Sequence, residues 1–315
     1  MTGSAAMTEH KNILREIMEA DDFKGDVLFD EPMKNRTTLR IGGPADAFAI
    51  PDDPTSLKYL LAGAAARGFP IMPVGGGSNL LVRDGGIAGI VLSVGAMDRI
   101  TIIEEKDEGI RLFVQAGSPL QKLVHFAKEQ GCRGIEGLAG IPGSVGGAVK
   151  GNAGSFGYAA ADVIESVTVI NREGRLVVLK REELRFGYRS ADIPDDGIVL
   201  SANVRLEKDD PSAVAERMKG FLREKREKQP LSAWSAGCVF RNPEGAAAGK
   251  LIDEARCKGM KRGGIEVSAL HANFFINRGD GTAADFLALM EDVRERVKRV
   301  FGTELELEMR IAGRT

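Results

Sequence analysis

The sequence predicts an α+β protein built from more than one domain. Three observations carry this reading. Its 315 residues are enough to bury a substantial core and to form two or three domains. Apolar runs of strand length alternate with segments whose apolar residues recur at helical spacing. Glycine is concentrated, with ten of the 39 glycines in the 27 residues from Gly131 to Gly157.

Taken in order, Ile13, Leu14, Ile17 and Met18 give helical spacing from about Thr8 to Asp21, so residues 1–22 read as an N-terminal helical extension. Ala47 to Ile50 reads as a strand. Asp53-Pro54-Thr55 then opens an amphipathic helix carrying Leu57, Leu60, Leu61, Ala64 and Ala65, with Gly68 placed to stop it and a strand at Phe69 to Val74 beyond. This β-α-β block makes residues 23–95 a first lobe. Strand-like runs at Ile100 to Ile103 and Leu112 to Ala116 follow, then a helix from Pro119 to Gln130 and the glycine-rich stretch. A hairpin of Val167 to Ile170 and Leu176 to Leu179 about the turn Asn171-Arg172-Glu173-Gly174, with a strand at Ile198 to Val204, completes a second lobe, 96–208. The remaining 209–315 form an α+β module. Its helix from Ser212 to Lys228 ends at Pro230, and Arg223 to Lys228 is the solvated face of that helix. Further helices are expected at Ala248 to Arg256 and Thr282 to Arg299, with strands near Ala272 to Ile276 and Glu304 to Arg310.

Charge and cysteine content narrow the function. Lys plus Arg is 43 against 45 for Asp plus Glu, a net charge of −2, so the chain has no general basic field for nucleic acid and must bind any anion locally. No apolar run reaches the roughly 20 residues of a membrane span, and Met1 to Asn12 lacks a signal peptide's apolar core. A soluble, cytoplasmic protein is expected. Cys132, Cys238 and Cys257 are odd in number, widely spaced and without a CxxC pair, which argues for reduced thiols and against a disulfide framework or a metal site.

The glycines carry the strongest signal. In regular structure each costs roughly 0.5–1 kcal/mol relative to alanine, so their density makes sense where backbone takes positive φ or lies flush against something. Collagen is excluded by the short run and its single proline, Pro142, and a flexible linker by the interleaved Ile135, Leu138, Ile141 and Val145. A second cluster, Gly75-Gly76-Gly77-Ser78-Asn79-Leu80, sits between two apolar runs as a strand-loop-strand unit. It is neither a Walker loop nor the GxGxxG of a dinucleotide fold. Free amides in such loops form anion-binding nests, which points to a large anionic cofactor.

Six motifs in order resemble one family. They are Asn35-Arg36-Thr37-Thr38-Leu39-Arg40-Ile41-Gly42-Gly43, the loop Gly75 to Leu81, Ile141-Pro142-Gly143-Ser144-Val145-Gly146-Gly147, Gly187-Tyr188-Arg189-Ser190, Ala236-Gly237-Cys238-Val239-Phe240-Arg241-Asn242-Pro243 and Leu305-Glu306-Leu307-Glu308-Met309-Arg310. From about residue 30 to 311 the chain resembles the UDP-N-acetylenolpyruvoylglucosamine reductases, bacterial flavoenzymes of peptidoglycan precursor synthesis. The segment Asn242 to Lys250 is short and tyrosine-free, as in the branch without the tyrosine-bearing substrate loop.

The resemblance implies a two-lobed FAD-binding domain of the vanillyl-alcohol-oxidase type followed by a substrate domain, with non-covalent FAD reduced by NADPH. Cofactor contacts would come from Arg40, from Gly75, Gly76, Gly77, Ser78, Asn79 and Leu80, and from Gly140, Pro142, Gly143, Ser144, Gly146, Gly147 and Ala148. Hydride addition to the enolpyruvyl double bond of the UDP-sugar creates enolate-like charge, so the site needs an electrophilic group and an acid. By resemblance these are Arg189, whose planar guanidinium can grip a carboxylate, Glu308, and Cys238 as the proton donor where relatives often carry serine. An ordinary thiol, with a pKa of about 8.5, is mostly protonated at neutral pH and yields its proton more readily than a hydroxyl. Tyr188, Lys228, Asn242 and His271 would contact the substrate, no metal is implied, and a monomer is favoured. Another FAD-dependent oxidase or dehydrogenase of the same flavin fold, or a non-catalytic flavin-binding protein, would share the first two lobes without needing Arg189, Cys238 and Glu308 in these contexts.

Overall fold

A computed structural model describes residues 12–17, 22–194 and 196–315. The chain divides into two compact units, each discontinuous in sequence. The first comprises Met1–Asp30, Asp46–Gly75 and Gly89–Leu222, and the second Glu31–Ala45, Gly76–Ala88 and Arg223–Thr315.

In the first unit residues 12–17 are helical and bury Leu14 and Ile17, while the rest of the expected N-terminal helix, 8–11 and 18–21, lies outside the described residues. A four-stranded sheet has the order Gly25–Pro32, Pro44–Pro51, Ile87–Ser93, Ile71–Val74, the last two parallel. The helix Pro54–Ala66 starts where the sequence says it should. Asp53 accepts the Ser56 N–H at 2.8 Å, an N-cap bond that also holds its carboxyl below the usual range, and Pro54 takes the first helical position. At the other end the Gly68 and Phe69 N–H groups bond the Ala65 and Ala64 carbonyls at 3.2 and 2.9 Å, which closes the last turn. The second sheet is antiparallel, ordered Leu176–Lys180, Ile164–Ile170, Ile198–Lys208, Gly109–Gln115, Ile100–Lys106, with Cys132–Arg133 paired to the end of Ile198–Lys208. Against this unit's core the helix Leu120–Glu129 buries Leu120, Leu123, Val124 and Ala127, a stripe at helical spacing.

The second unit has its own core around Phe240, Phe275 and Phe286, whose rings meet at tilted and edge-on angles. Three short antiparallel strands, Lys261–Arg262, Ile265–Val267 and Phe275–Asn277, pack with the helices Ala248–Glu254 and Ala283–Phe301. The long helix begins in a capping box of Thr282 and Asp285, while the Asp84 carboxylate takes the Ala283 and Ala284 N–H groups at 2.9 and 3.0 Å. It buries Phe286, Leu289, Met290, Val293 and Val297, each contributing roughly 2 kcal/mol.

Three expectations are corrected. Lys225, within the charge run Arg223 to Lys228 read as a solvated helix face, is buried. The glycine-rich stretch contains a six-residue helix, Val145–Lys150, capped by Ser144. And Glu304 to Arg310 is not a strand: 304–309 make a single bridge, Phe240 to Leu307, and regular pairing starts only at Arg310–Ala312, parallel to Leu80–Val82.

Candidate active site

In the first unit Gly75 lies against the longer glycine stretch. A Cβ built on Gly75 would lie 2.5 Å from Ser144 Oγ, and that hydroxyl accepts the Gly147 N–H at 3.3 Å. Most amides of the longer stretch are engaged within the protein. Gly140 donates to Gln121 Oε1 at 2.8 Å, and Ile141, Val145, Gly146 and Ala148 donate to carbonyls of Leu138, Ser118, Ala116 and Ser144. From Gly140 to Ala148 only the N–H groups of Gly143 and Ser144 have no protein acceptor among the described residues. The expected nest is therefore narrower than the glycine run.

Arg189 occupies the second loop position of a two-residue hairpin, Phe186–Gly187 against Ser190–Ala191, at φ 55°. Glycine or asparagine normally fills such a position, and an L-residue there is strained by roughly 1–2 kcal/mol. The conformation is held by neighbours. Arg189 Nη1 donates to the Gly154 carbonyl at 2.9 Å, its guanidinium carbon lies 5.4 Å from the Tyr188 ring, and Asn152 Nδ2 donates to the Gly187 carbonyl at 2.9 Å. Tyr188 itself is exposed. The end of the glycine stretch and the arginine motif thus form one cluster.

The other motifs converge in the second unit. Gly77, at φ 61°, has no room for a side chain against the Arg36 carbonyl, and its own carbonyl accepts the Thr38 N–H at 3.2 Å. The N–H groups of Gly76 and Gly77 have no protein acceptor among the described residues. Asn79 Nδ2 donates to the Glu308 carbonyl at 3.2 Å, and the Arg310 N–H to the Asn79 carbonyl at 3.0 Å. The Glu308 N–H in turn donates to the Val239 carbonyl at 2.9 Å, and the Arg241 N–H to Glu306 at 2.8 Å. Cys238, half-buried, is next in chain to Val239 and bridges Phe274 on the other side. The two residues expected to act as acid and charge stabiliser therefore ride on directly paired segments.

Around them the remaining residues are placed by polar contacts. Arg40 (φ 54°) lies with its guanidinium 4.2 Å from the Trp234 ring, and buried Asn277 holds the Leu39 carbonyl at 3.0 Å. Asn242 Oδ1 accepts the Ala248 N–H at 2.9 Å. Lys228 pairs with Glu224 at 2.6 Å on the exposed helix face, which raises its pKa. His271 accepts the Asn273 N–H on Nδ1 at 3.3 Å and packs edge-on against Phe274. Burial pushes its pKa down, so the ring is neutral near pH 7. The sequence reading missed two amides, Asn152 and Asn273. Asn273 clamps the Phe240 backbone from both sides, at 2.9 and 2.7 Å. No group of three metal-ligating side chains occurs among the described residues.

The family profile described as FAD binding domain matches residues 45–180, and that of the UDP-N-acetylenolpyruvoylglucosamine reductase C-terminal domain matches 229–312. The UDP-N-acetylenolpyruvoylglucosamine reductase of Geotalea uraniireducens is 44% identical over 290 residues, covering 92% of this chain and 95% of that protein. The chain belongs to this reductase family. The reductase of Geobacter metallireducens is similar at 43% identity, over 93% of this chain and 96% of its own. The crystal structure of the reductase from Thermus caldophilus aligns with a TM-score of 0.76 at 36% identity, covering 92% of this chain and 99% of that one. The expected order of domains, flavin-binding and then reductase-specific, is what these matches show.

Proposed function

We propose that the protein catalyses the NADPH-dependent, FAD-mediated reduction of the enolpyruvyl group of UDP-N-acetyl-3-O-(1-carboxyvinyl)-glucosamine to UDP-N-acetylmuramate, in peptidoglycan precursor synthesis. The observation that carries this reading is the backbone pairing of the Cys238 segment with the Glu308 segment, anchored by Asn79 to the Gly75–Leu80 loop. A non-catalytic flavin protein or an unrelated oxidase has no need of that arrangement.

In the first unit the bare backbone of Gly75 beside Ser144, with the N–H groups of Gly143 and Ser144 unengaged within the protein among the described residues, suits a diphosphate-bearing flavin. In the second unit the Gly76 and Gly77 N–H groups are likewise without a protein acceptor among the described residues, and by resemblance both glycines belong to the cofactor set. Arg40, Ser78, Asn79, Leu80, Gly140, Pro142, Gly146, Gly147 and Ala148 complete the holding set, in lobes 23–95 and 96–208 with a substrate module at 209–315. FAD, when bound non-covalently, carries hydride from NADPH to the substrate double bond.

The chain's own residues do the rest. Arg189 grips the substrate carboxylate with two parallel N–H donors. As hydride arrives at the double bond, negative charge spreads toward that carboxylate, where the guanidinium meets it with no reorganisation. Cys238 delivers the thiol proton to the carbon that completes the reduction, and Glu308 assists in stabilising the charge. Tyr188, Lys228, Asn242 and His271 contact the UDP-sugar. A monomeric, cytoplasmic enzyme serving cell-wall growth, cell shape and division, without nucleic-acid or membrane partners, completes the reading; among the described residues no helix is long and apolar enough to cross a membrane. The test is NADPH oxidation that depends on the enolpyruvyl UDP-sugar, with a product two mass units heavier. Turnover independent of that sugar would refute the assignment.

A further inference from the structure

Arg189 stands at a hairpin tip in a conformation that an L-residue holds only under restraint. One restraint is the bond from its own Nη1 to the Gly154 carbonyl. Another comes from Asn152. Its Nδ2 donates to the Gly187 carbonyl at 2.9 Å, two residues before Arg189, while its Oδ1 accepts the Ala161 N–H at 3.1 Å. Asn152 is itself left-handed, at φ 39°, and its N–H donates to the Val149 carbonyl at 3.1 Å, directly behind the helix that Ser144 caps. One amide therefore ties the base of the arginine hairpin to the end of the glycine stretch.

We propose that Asn152 is a positioning residue, fixing the hairpin so that Arg189 meets the substrate carboxylate; the inference rests on the reading of Arg189 given above. Asn152 touches neither substrate nor flavin in this role. It acts through the Gly187 carbonyl, whose movement would swing the next two residues and spoil a two-point grip that depends on angle as well as distance. Asn suits the position twice over, since it tolerates φ above zero and offers a donor and an acceptor in one plane.

The test compares two ligands on the flavin-loaded enzyme by calorimetric titration. UDP-N-acetylmuramate carries the carboxylate that Arg189 meets, and UDP-N-acetylglucosamine lacks it. Asn152→Asp keeps the backbone preference and the acceptor for Ala161 but removes the donor to Gly187. It is expected to weaken UDP-N-acetylmuramate about tenfold, the loss of roughly one hydrogen bond, and to leave UDP-N-acetylglucosamine within about twofold. Added to Arg189→Ala, the same change should weaken UDP-N-acetylmuramate no further, because the group it positions is gone. Parental affinity for UDP-N-acetylmuramate, equal weakening of both ligands, or full additivity in the double variant would each overturn the proposal. Should Asn152→Asp purify without flavin, Asn152→Gly, which accepts the same φ and also lacks the donor, takes its place in the same comparisons. Unchanged UDP-N-acetylmuramate affinity in Arg189→Ala alone would refute the role of Arg189, and the positioning role with it.

Discussion

Gly75 and Ser144 stand so close that a single methyl group on Gly75 would come to 2.5 Å from the Ser144 hydroxyl, which is already committed to capping the helix Val145–Lys150. Gly75, the first residue of the shorter glycine cluster, thus touches the longer one across a strand-rich stretch of sequence. The bare backbone of Gly75 beside the glycine-rich stretch is the feature that suits a flat, anionic cofactor.

Gly75→Ala should therefore disturb cofactor binding and stability together. Either Ser144 rotates and abandons the Gly147 N–H or the loop shifts, and overpacking of this kind destabilises by about 1–3 kcal/mol. Flavin retained through gel filtration should fall, with the melting temperature down by roughly 2–8 °C. Full retention at parental stability would show that the contact relaxes freely.

Cys238 is expected to matter for one half-reaction only. Cys238→Ala should slow product formation by about 10²- to 10⁴-fold, the usual contribution of a general acid, while NADPH bleaches the flavin at a near-parental rate. Cys238→Ser should keep more activity. Product formation near the parental rate in Cys238→Ala would place the proton source elsewhere, in water or another group.

Much of this was legible in the sequence, and what was not has physical reasons. Asp53, Pro54 and Gly68 mark both ends of the helix Pro54–Ala66, because capping is a local property. The helix Val145–Lys150 was hidden, since Gly146 and Gly147 are among the poorest helix formers and only Ser144 announces it. The strand Gly25–Pro32 was missed as well: it is mostly exposed or half-buried, charged, and ends in proline, as edge strands do. Leu305 to Met309 alternates like a strand yet pairs only once, because alternation reports a half-buried extended segment and not its partner. Arg189, Cys238 and Glu308 stood out through their motifs. Asn152 and Asn273 did not, since each bonds backbone more than 30 residues away in sequence, which no local pattern reveals.

His271 should make stability fall in mild acid. Burial holds its folded pKa below the unfolded value of about 6.5, with the Lys258 charge adding to the effect. The unfolded chain then takes up the proton first, so stability present above about pH 6.5 is lost as the pH falls through the folded pKa. Urea unfolding at pH 7.5 and 5.5 should show a larger loss for the parent than for His271→Gln. Equal losses would mean that the ring does not titrate differently on unfolding.

Arg217 secures the deeply buried Glu136, bonding it through Nε and Nη2 at 3.0 and 2.8 Å and reaching Asp209 as well. Among the described residues Arg217→Met would leave that carboxylate the Gly134 N–H alone, which donates at 2.6 Å. The expected loss is about 2–3 kcal/mol in urea unfolding, below the full effect of breaking a buried pair because Arg217 is partly exposed. A loss under about 0.5 kcal/mol would show that water replaces the guanidinium.

The most direct measurement is anaerobic and proceeds in two steps. NADPH is mixed with the flavin-loaded enzyme, and the enolpyruvyl UDP-sugar is added once the visible flavin absorption has bleached. Bleaching is expected to be complete, and the UDP-sugar to restore the colour stoichiometrically as UDP-N-acetylmuramate forms. A flavin that stays bleached with the UDP-sugar and recovers only on admission of oxygen would contradict the proposed reaction.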